Sequence, residues 1–455
     1  MELEAWLGRA VRAVRSWEDG FGAFETHPSL RVDEARFDAA FGELTGRLRD
    51  NYPYFHPFYA GQMLKPPHPA AVAGYLAAML INPNNHALDG GPATSAMEKE
   101  VVADLAAMFG YGAHLGHLTS SGTIANLEAL YVARESHPGL GVAYSTEAHY
   151  THGRMCGVLG VPGFAVPVDG LGRMDTGALD ALLAKGRVGT VVATAGTTGL
   201  GAIDPVHTIA AVAGRHGVRV HVDAAYGGFF TLLAGLGERA GLDPAPWRAI
   251  ASCDSVVVDP HKHGLQPYGC GAVLFRDPSV GRFYQHDSPY TYFTSDELHL
   301  GEISLECSRA GASAVALWAT QRLLPLVPEG EFARGLAAGH NAALEFDRRL
   351  RNGGAFAPFT SRPELDIVVW QVLAGSASQN SALAQRIFDQ CAALNLHLAL
   401  VQLPGAMFTG QAVAGSDATV TCLRSVLMKP EHAEWLDAIW ERLTAAVSME
   451  TGKIE

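Results

Sequence analysis

The sequence predicts an α/β fold: a mostly parallel sheet with flanking helices, entered through a helical N-terminal segment and followed by a small α+β unit. Two observations carry this. Short β-branched runs (Thr190 to Ala195, Val218 to Asp223, Ser255 to Asp259) alternate with Ala- and Leu-rich amphipathic stretches such as Val206 to His216. Such alternation marks β-α-β units, whose strands pair in parallel beneath helices on both faces. The chain has 455 residues, 48% of them hydrophobic and 17% charged, enough to bury the core of two or three domains or subdomains.

The elements follow in order. Residues 1–94 form a helical and arm segment: Trp6, Leu7, Val11, Val14 and Trp17 recur at helical spacing, and Asn51 to Pro69, rich in aromatics, proline and histidine, reads as an extended arm that packs on its own body or on a partner subunit. Residues 95–330 hold the alternating runs and are expected to form the large domain. A second apolar run, Ala272 to Phe275, returns after Ser255 to Asp259. A long helical region over about 310 to 350 leads into a small α+β domain, residues 331–455, with strands near Asp366 to Val372 and Ala418 to Met428.

Charge excludes some partners. Lys and Arg number 33 against 46 Asp and Glu, a net charge of −13, which argues against nucleic acid and anionic membranes. The six cysteines, Cys156, Cys253, Cys270, Cys307, Cys391 and Cys422, include no CxxC pair and read as reduced, buried thiols. His149 with His152, and His261 with His263, are pairs without a carboxylate or cysteine in ligand spacing, so no metal site is expected. The start, MELEAWLGRAVRAVRSWEDG, has no apolar run long enough for a signal peptide, and no stretch approaches a membrane span. The expectation is a cytoplasmic protein.

In open parallel sheets ligands sit at the carboxyl ends of strands. After Leu118-Thr119 comes Ser120-Ser121-Gly122-Thr123 and then a helical run. That is either an ordinary helix cap or an anion site built from free N–H groups, short hydroxyls and the helix dipole. Other strand ends give Gly196-Thr197-Thr198-Gly199, Asp223-Ala224-Ala225 and Asp259-Pro260-His261-Lys262, and a further segment gives His149. Together these parts fit pyridoxal 5′-phosphate. A lysine amine forms a Schiff base with its aldehyde, an aspartate holds the pyridine nitrogen protonated, and a helix start takes the phosphate. A flat ring wants a flat group such as histidine on one face and a small one such as alanine on the other.

These motifs stand in the order found in a known family. The chain resembles the group II pyridoxal-phosphate-dependent decarboxylases of fold type I, which include aromatic-amino-acid, glutamate and archaeal-type tyrosine/aspartate enzymes. The resemblance covers roughly residues 50 to 430: the stretch from His56 to Val102 with Glu98 opening a helix, SSGTIAN, ATAGTTGLGAIDP, HVDAAYGG and DPHKHG. It implies the fold-type-I architecture, with a seven-stranded sheet and sites shared across a homodimer interface. It implies that Lys262 forms the Schiff base, Asp223 meets the pyridine nitrogen, Ala225 underlies the ring and His149 stacks on it. Ser121, Gly122 and Thr123 would hold the phosphate with His261 and Asp259, and Thr197 would lie near the 3-hydroxyl.

The resemblance also implies the reaction. An amino acid loses carbon dioxide, a quinonoid forms, and an acid protonates the α-carbon. That acid would stand on a lid over Gln285 to Asp296, with Tyr290 or Tyr292 as candidates and His149 as an alternative guide of the proton. Arg424 is a candidate for the substrate carboxylate, or else a structural ion pair; Arg309 is read as structural or as a phosphate or lid contact. Asn85 and His86, in the polar stretch Asn84 to Asp89, are candidates for the substrate side chain; Tyr52, Tyr54, Phe55 and Phe58 would suit an aromatic one. Departures are His263 where aromatic decarboxylases carry an aromatic residue, and Asp259 where asparagine is frequent. An aldehyde lyase, an aminotransferase or a carbon–sulfur lyase remains an alternative reading. A non-catalytic scaffold would be expected to lack Lys262 or Asp223.

Overall fold

The computed structural model describes residues 3–236, 241–285, 304–359, 362–408 and 419–452. Seven strands form the large sheet: β1 (Leu115–Thr119), β2 (Gly141–Ser145), β3 (Gly163–Val166), β4 (Val188–Thr194), β5 (Arg219–Asp223), β6 (Ser255–Val258) and β7 (Gly271–Phe275). Their order across the sheet is β1-β7-β6-β5-β4-β2-β3. The pairs from β6 through β3 are parallel, while β7 runs antiparallel to both of its neighbours. The sheet is thus the mostly parallel one expected. Its central strands are buried throughout, which explains why β4 and β6 read as continuous β-branched runs instead of alternating ones.

Register sets up the site. Thr194 on β4 lies beside Asp223 on β5, and Asp223 lies beside Val257 on β6. The last residues of β4 and β5 therefore stand level, with β6 ending one residue beyond them at the same carboxyl edge. The helix Val206–His216 spans the crossover from β4 to β5, with Ile209, Val212 and Ala213 buried on its inner side. Gly217 closes it in the left-handed conformation (φ 67°), which glycine adopts without strain.

A second, antiparallel sheet of β8 (Phe356–Pro358), β9 (Ile367–Val372), β10 (Ala399–Pro404) and β11 (Thr419–Val426) has the order β10-β11-β9-β8. Helices Glu331–Asn352, Ala377–Ala393 and His432–Thr451 cover it around a core that includes Phe346, Trp370, Ile387 and Leu443. Ser376 begins the middle helix with a complete capping box, its hydroxyl accepting from Gln379 N–H while the Gln379 side chain accepts from Ser376 N–H.

The N-terminal segment forms helices Leu3–Glu18, Glu34–Leu48 and Pro69–Ile81. The arm between the last two packs on its own chain: Ala60 N–H donates to His397 O, and Val426 N–H donates to Ala60 O. Helix Glu34–Leu48, by contrast, buries none of its residues. Five of the six cysteines are buried, but Cys307 is exposed, against the expectation of buried thiols. Among the described residues no helix is long and apolar enough to cross a membrane.

Candidate active site

The strand ends of the large sheet converge on a cavity of about 230 Å³. Its wall includes Ser121, Gly122 and Thr123 from the helix after β1, His149 from the turn after β2, Asp223 and Ala225 after β5, and Asp259, His261 and Lys262 after β6. Thus nine of the residues expected in the site meet in one place, although they span more than a hundred residues of chain.

The helix Gly122–Ser136 begins at the cavity. Ser121 caps it with an extended backbone, its Oγ accepting from Ile124 N–H at 3.4 Å. The amides of Gly122 and Thr123 precede the first helical hydrogen bond, so they remain free for an anion. Gly122 is required here: a Cβ would stand 2.5 Å from Asp259 Oδ2, closer than real Cβ contacts. Thr123 Oγ1 lies 3.1 Å from Thr151 Oγ1.

Asp223 is fixed at both oxygens. Oδ1 accepts from Ala225 N–H at 3.1 Å, and Oδ2 accepts from His152 Nε2 at 2.8 Å. Burial raises the pKa of this carboxyl, but the His152 hydrogen bond and charge, with Lys262, outweigh it and hold the group far below the usual carboxylate range. Behind it His221, pushed down to about 3 by burial, lies 2.8 Å from Ser255 Oγ and 2.9 Å from Asn126 Oδ1. A permanent negative charge at the end of β5 is what a protonated pyridine nitrogen requires.

Lys262 Nζ lies 3.0 Å from Asp259 Oδ2. Burial depresses its pKa, yet Asp259 and Asp223 more than offset this and raise it. His261 Nδ1 donates to Cys270 O at 2.8 Å, and its Nε2 is 3.6 Å from Asp259 Oδ2. His149 Nδ1 accepts from Thr151 N–H at 3.3 Å, which places the proton of the neutral ring on Nε2. Burial lowers the pKa of His149, favouring that neutral ring.

Four expectations need correction. Thr197 does not line the cavity; its Oγ1 accepts from Ala202 N–H at 3.0 Å, and Thr198 and Thr194 face the cavity instead. Arg424 is not a free carboxylate ligand. Its Nε, Nη1 and Nη2 donate to Gly199 O, Gly61 O and Thr198 O at 3.2, 3.2 and 2.8 Å, so it ties the loop after β4 to the arm. Asn85 is buried away from the cavity, with Nδ2 on Glu98 and Thr94 O and its Oδ1 accepting from Thr94 Oγ1. His86 also lies off the cavity, its Nε2 3.9 Å from Asp89. Arg309 pairs with Glu98 and donates to Leu118 O and Asn85 O, a structural role. Tyr290 and Tyr292 lie outside the described residues.

Sequence reasoning missed His152, Thr194 and Asn126. His152 stands three residues from His149, and that spacing was visible, but only the fold shows that its ring meets Asp223. Thr194 ends β4 two positions before Gly196, and its buried Oγ1 has no hydrogen-bond partner.

The residues fit pyridoxal phosphate: an amine for the aldehyde, an ionised carboxylate for the ring nitrogen, an imidazole and a methyl group for the ring faces, and a helix start for the phosphate. Comparison with known proteins agrees. A family model described as the pyridoxal-dependent decarboxylase conserved domain matches residues 49–371. An L-2,4-diaminobutyrate decarboxylase of Acinetobacter baumannii is 30% identical over 394 residues, covering 75% of this chain and 74% of that protein. An L-tyrosine decarboxylase of Enterococcus faecium is 29% identical over 402 residues, covering 67% of this chain and 66% of that protein. The crystal structure of Oryza sativa TDC with PLP and tryptamine shares the fold, with a TM-score of 0.77 and 20% identity over 98% of this chain and 97% of that one. The chain therefore belongs to the pyridoxal-dependent decarboxylases and is a pyridoxal-phosphate-dependent carboxy-lyase.

Proposed function

We propose that the protein removes the carboxylate of an L-amino acid as carbon dioxide and returns the amine. The observation that carries this reading is the meeting of Lys262, the ionised Asp223, His149 and the Ser121–Thr123 helix start in one cavity. When bound, pyridoxal phosphate supplies an electron sink for the pair left by the departing carboxylate. The chain's own residues bind and orient. Lys262 would hold the aldehyde carbon through its ε-amine. Asp223, held in place by His152, keeps a proton on the ring nitrogen. Ala225 and His149 confine the ring, and His149 Nε2–H is available to guide a proton to the α-carbon. Gly122 and Thr123 N–H groups, with the Ser121 and Thr123 hydroxyls, bind the phosphate.

The assembly is proposed as a homodimer in the cytoplasm. Phe24 (86% exposed), Phe37 (57%), Phe41 (51%) and Leu44 lie exposed along the N-terminal segment, and a cluster of exposed large apolar side chains suits a protein interface. A second copy would cover it.

The test is direct. Purified protein with cofactor should absorb near ~420 nm, as a lysine-bound pyridoxal does, and Lys262→Ala should lose that band. Wild type should release carbon dioxide from at least one amino acid in a panel of standard and non-protein compounds. A bound cofactor with no carbon dioxide from any compound would overturn the reading.

A further inference from the structure

The phosphate end of the cavity contains an acid. Asp259 is buried, and its carboxylate lies against Gly122, the first residue of the helix expected to take the phosphate. Its Oδ2 is partnered by Lys262 Nζ at 3.0 Å. Its Oδ1 is buried with no hydrogen-bond partner. The ion pair that neutralises Asp259 thus uses the same amine that the cofactor claims.

Loading therefore changes Asp259 in two ways. The Lys262 nitrogen is drawn away to the aldehyde carbon. A phosphate monoester, close to a dianion at neutral pH, enters the same cradle. Two anions sharing a buried site cannot both remain ionised without a large cost, and one of them takes up a proton. Oδ1 is the vacant position, and a carboxylic O–H there can donate to a phosphate oxygen.

We propose that loading of pyridoxal phosphate is coupled to uptake of one proton by Asp259, which then binds the phosphate as a neutral hydrogen-bond donor. This rests on the site reading above. In the balance of the step, a carbon–nitrogen bond forms between Lys262 and the aldehyde carbon, and the aldehyde oxygen leaves as water. The lysine nitrogen keeps one proton, and a separate proton comes from solvent to Asp259.

The other groups facing Asp259 are accounted for. His261 and Lys262 stand on its own loop, His149 after β2, Asp223 after β5, and Tyr268 and Cys270 on the turn into β7. Burial pushes the Tyr268 and Cys270 groups up, so both stay neutral through the relevant range. His261, whose Nε2 is 3.6 Å from Asp259 Oδ2, is the competing carrier of a proton.

Titration calorimetry of the cofactor-free full chain with pyridoxal phosphate, in non-amine buffers of differing ionisation enthalpy near about pH 8, counts the protons exchanged. Wild type should take up about one proton more than Asp259→Asn, and over that range its affinity should fall about tenfold per pH unit relative to the variant. Asp259→Ser, which has a hydroxyl and no charge, should behave as Asp259→Asn does. Equal proton counts in wild type and both variants, or a count that disappears only in His261→Gln, would overturn the proposal. The Lys262-dependent absorbance band separates the two ideas. Its absence from wild type defeats the site reading, while its presence with equal proton counts defeats only the proton coupling.

Discussion

His152 Nε2 lies 2.8 Å from Asp223 Oδ2, and both side chains are buried. The imidazole is thus a positioning group for the carboxylate at the end of β5. His152→Phe should leave Asp223 without its main stabilising donor, so its carboxyl pKa rises and the charge presented to the ring nitrogen weakens. Turnover should fall roughly 10- to 100-fold, as when other buried orienting partners are removed, and His152→Gln should recover part of it. The check is kcat together with the pH dependence of the cofactor absorbance; a loss of stability alone would move neither the spectral titration nor the Gln rescue.

Arg424 gives a different prediction from a substrate-binding arginine. Its guanidinium serves three backbone carbonyls, so Arg424→Gln should leave buried acceptors unpaired and cost roughly 2–4 kcal/mol in chemical denaturation. A carboxylate ligand would instead give a raised KM with stability intact.

Asp366 sits between the Tyr226 hydroxyl, which donates to it, and His263 Nε2 at 3.3 Å. Burial pushes its pKa up to about 6, against an ordinary value of 3.8. Between these values the folded chain holds a proton that the unfolded chain has released, so stability falls as pH rises through that window. Relative to Asp366→Asn, wild type should lose on the order of 2 kcal/mol of unfolding free energy between about pH 4 and 7. Parallel denaturation curves of the two proteins across that range measure it.

The exposed face of helix Glu34–Leu48 predicts an assembly. If the proposed dimer forms through this face, Phe37→Asp combined with Phe41→Asp should leave the protein monomeric in sedimentation analysis and remove its activity. An active monomer would contradict the shared-site arrangement.

Much of this was legible in the sequence, for physical reasons. Parallel strands buried on both faces must be apolar along their length, so the runs ending at Thr194, Asp223 and Val258 stood out, and polar residues at their ends marked the site. Asp223 could be found because it ends such a run, and Lys262 because it stands in the short polar segment after one. Tertiary partners could not. Nothing local in the sequence shows that Arg424 meets Thr198 and Gly199 across 225 residues, that Thr197 turns its hydroxyl into its own loop, or that Asn85 is consumed by Glu98. The bareness of the helix Glu34–Leu48 was equally hidden, because an amphipathic pattern predicts an apolar face and not what covers it.

The measurement that tests the central claim most directly is turnover in deuterium oxide, with carbon dioxide and product mass read together. Replacement of the carboxylate by a solvent proton predicts one carbon dioxide per amine, and an amine carrying a single deuterium on the carbon that lost the carboxylate. A keto acid or an aldehyde formed without carbon dioxide would contradict the account.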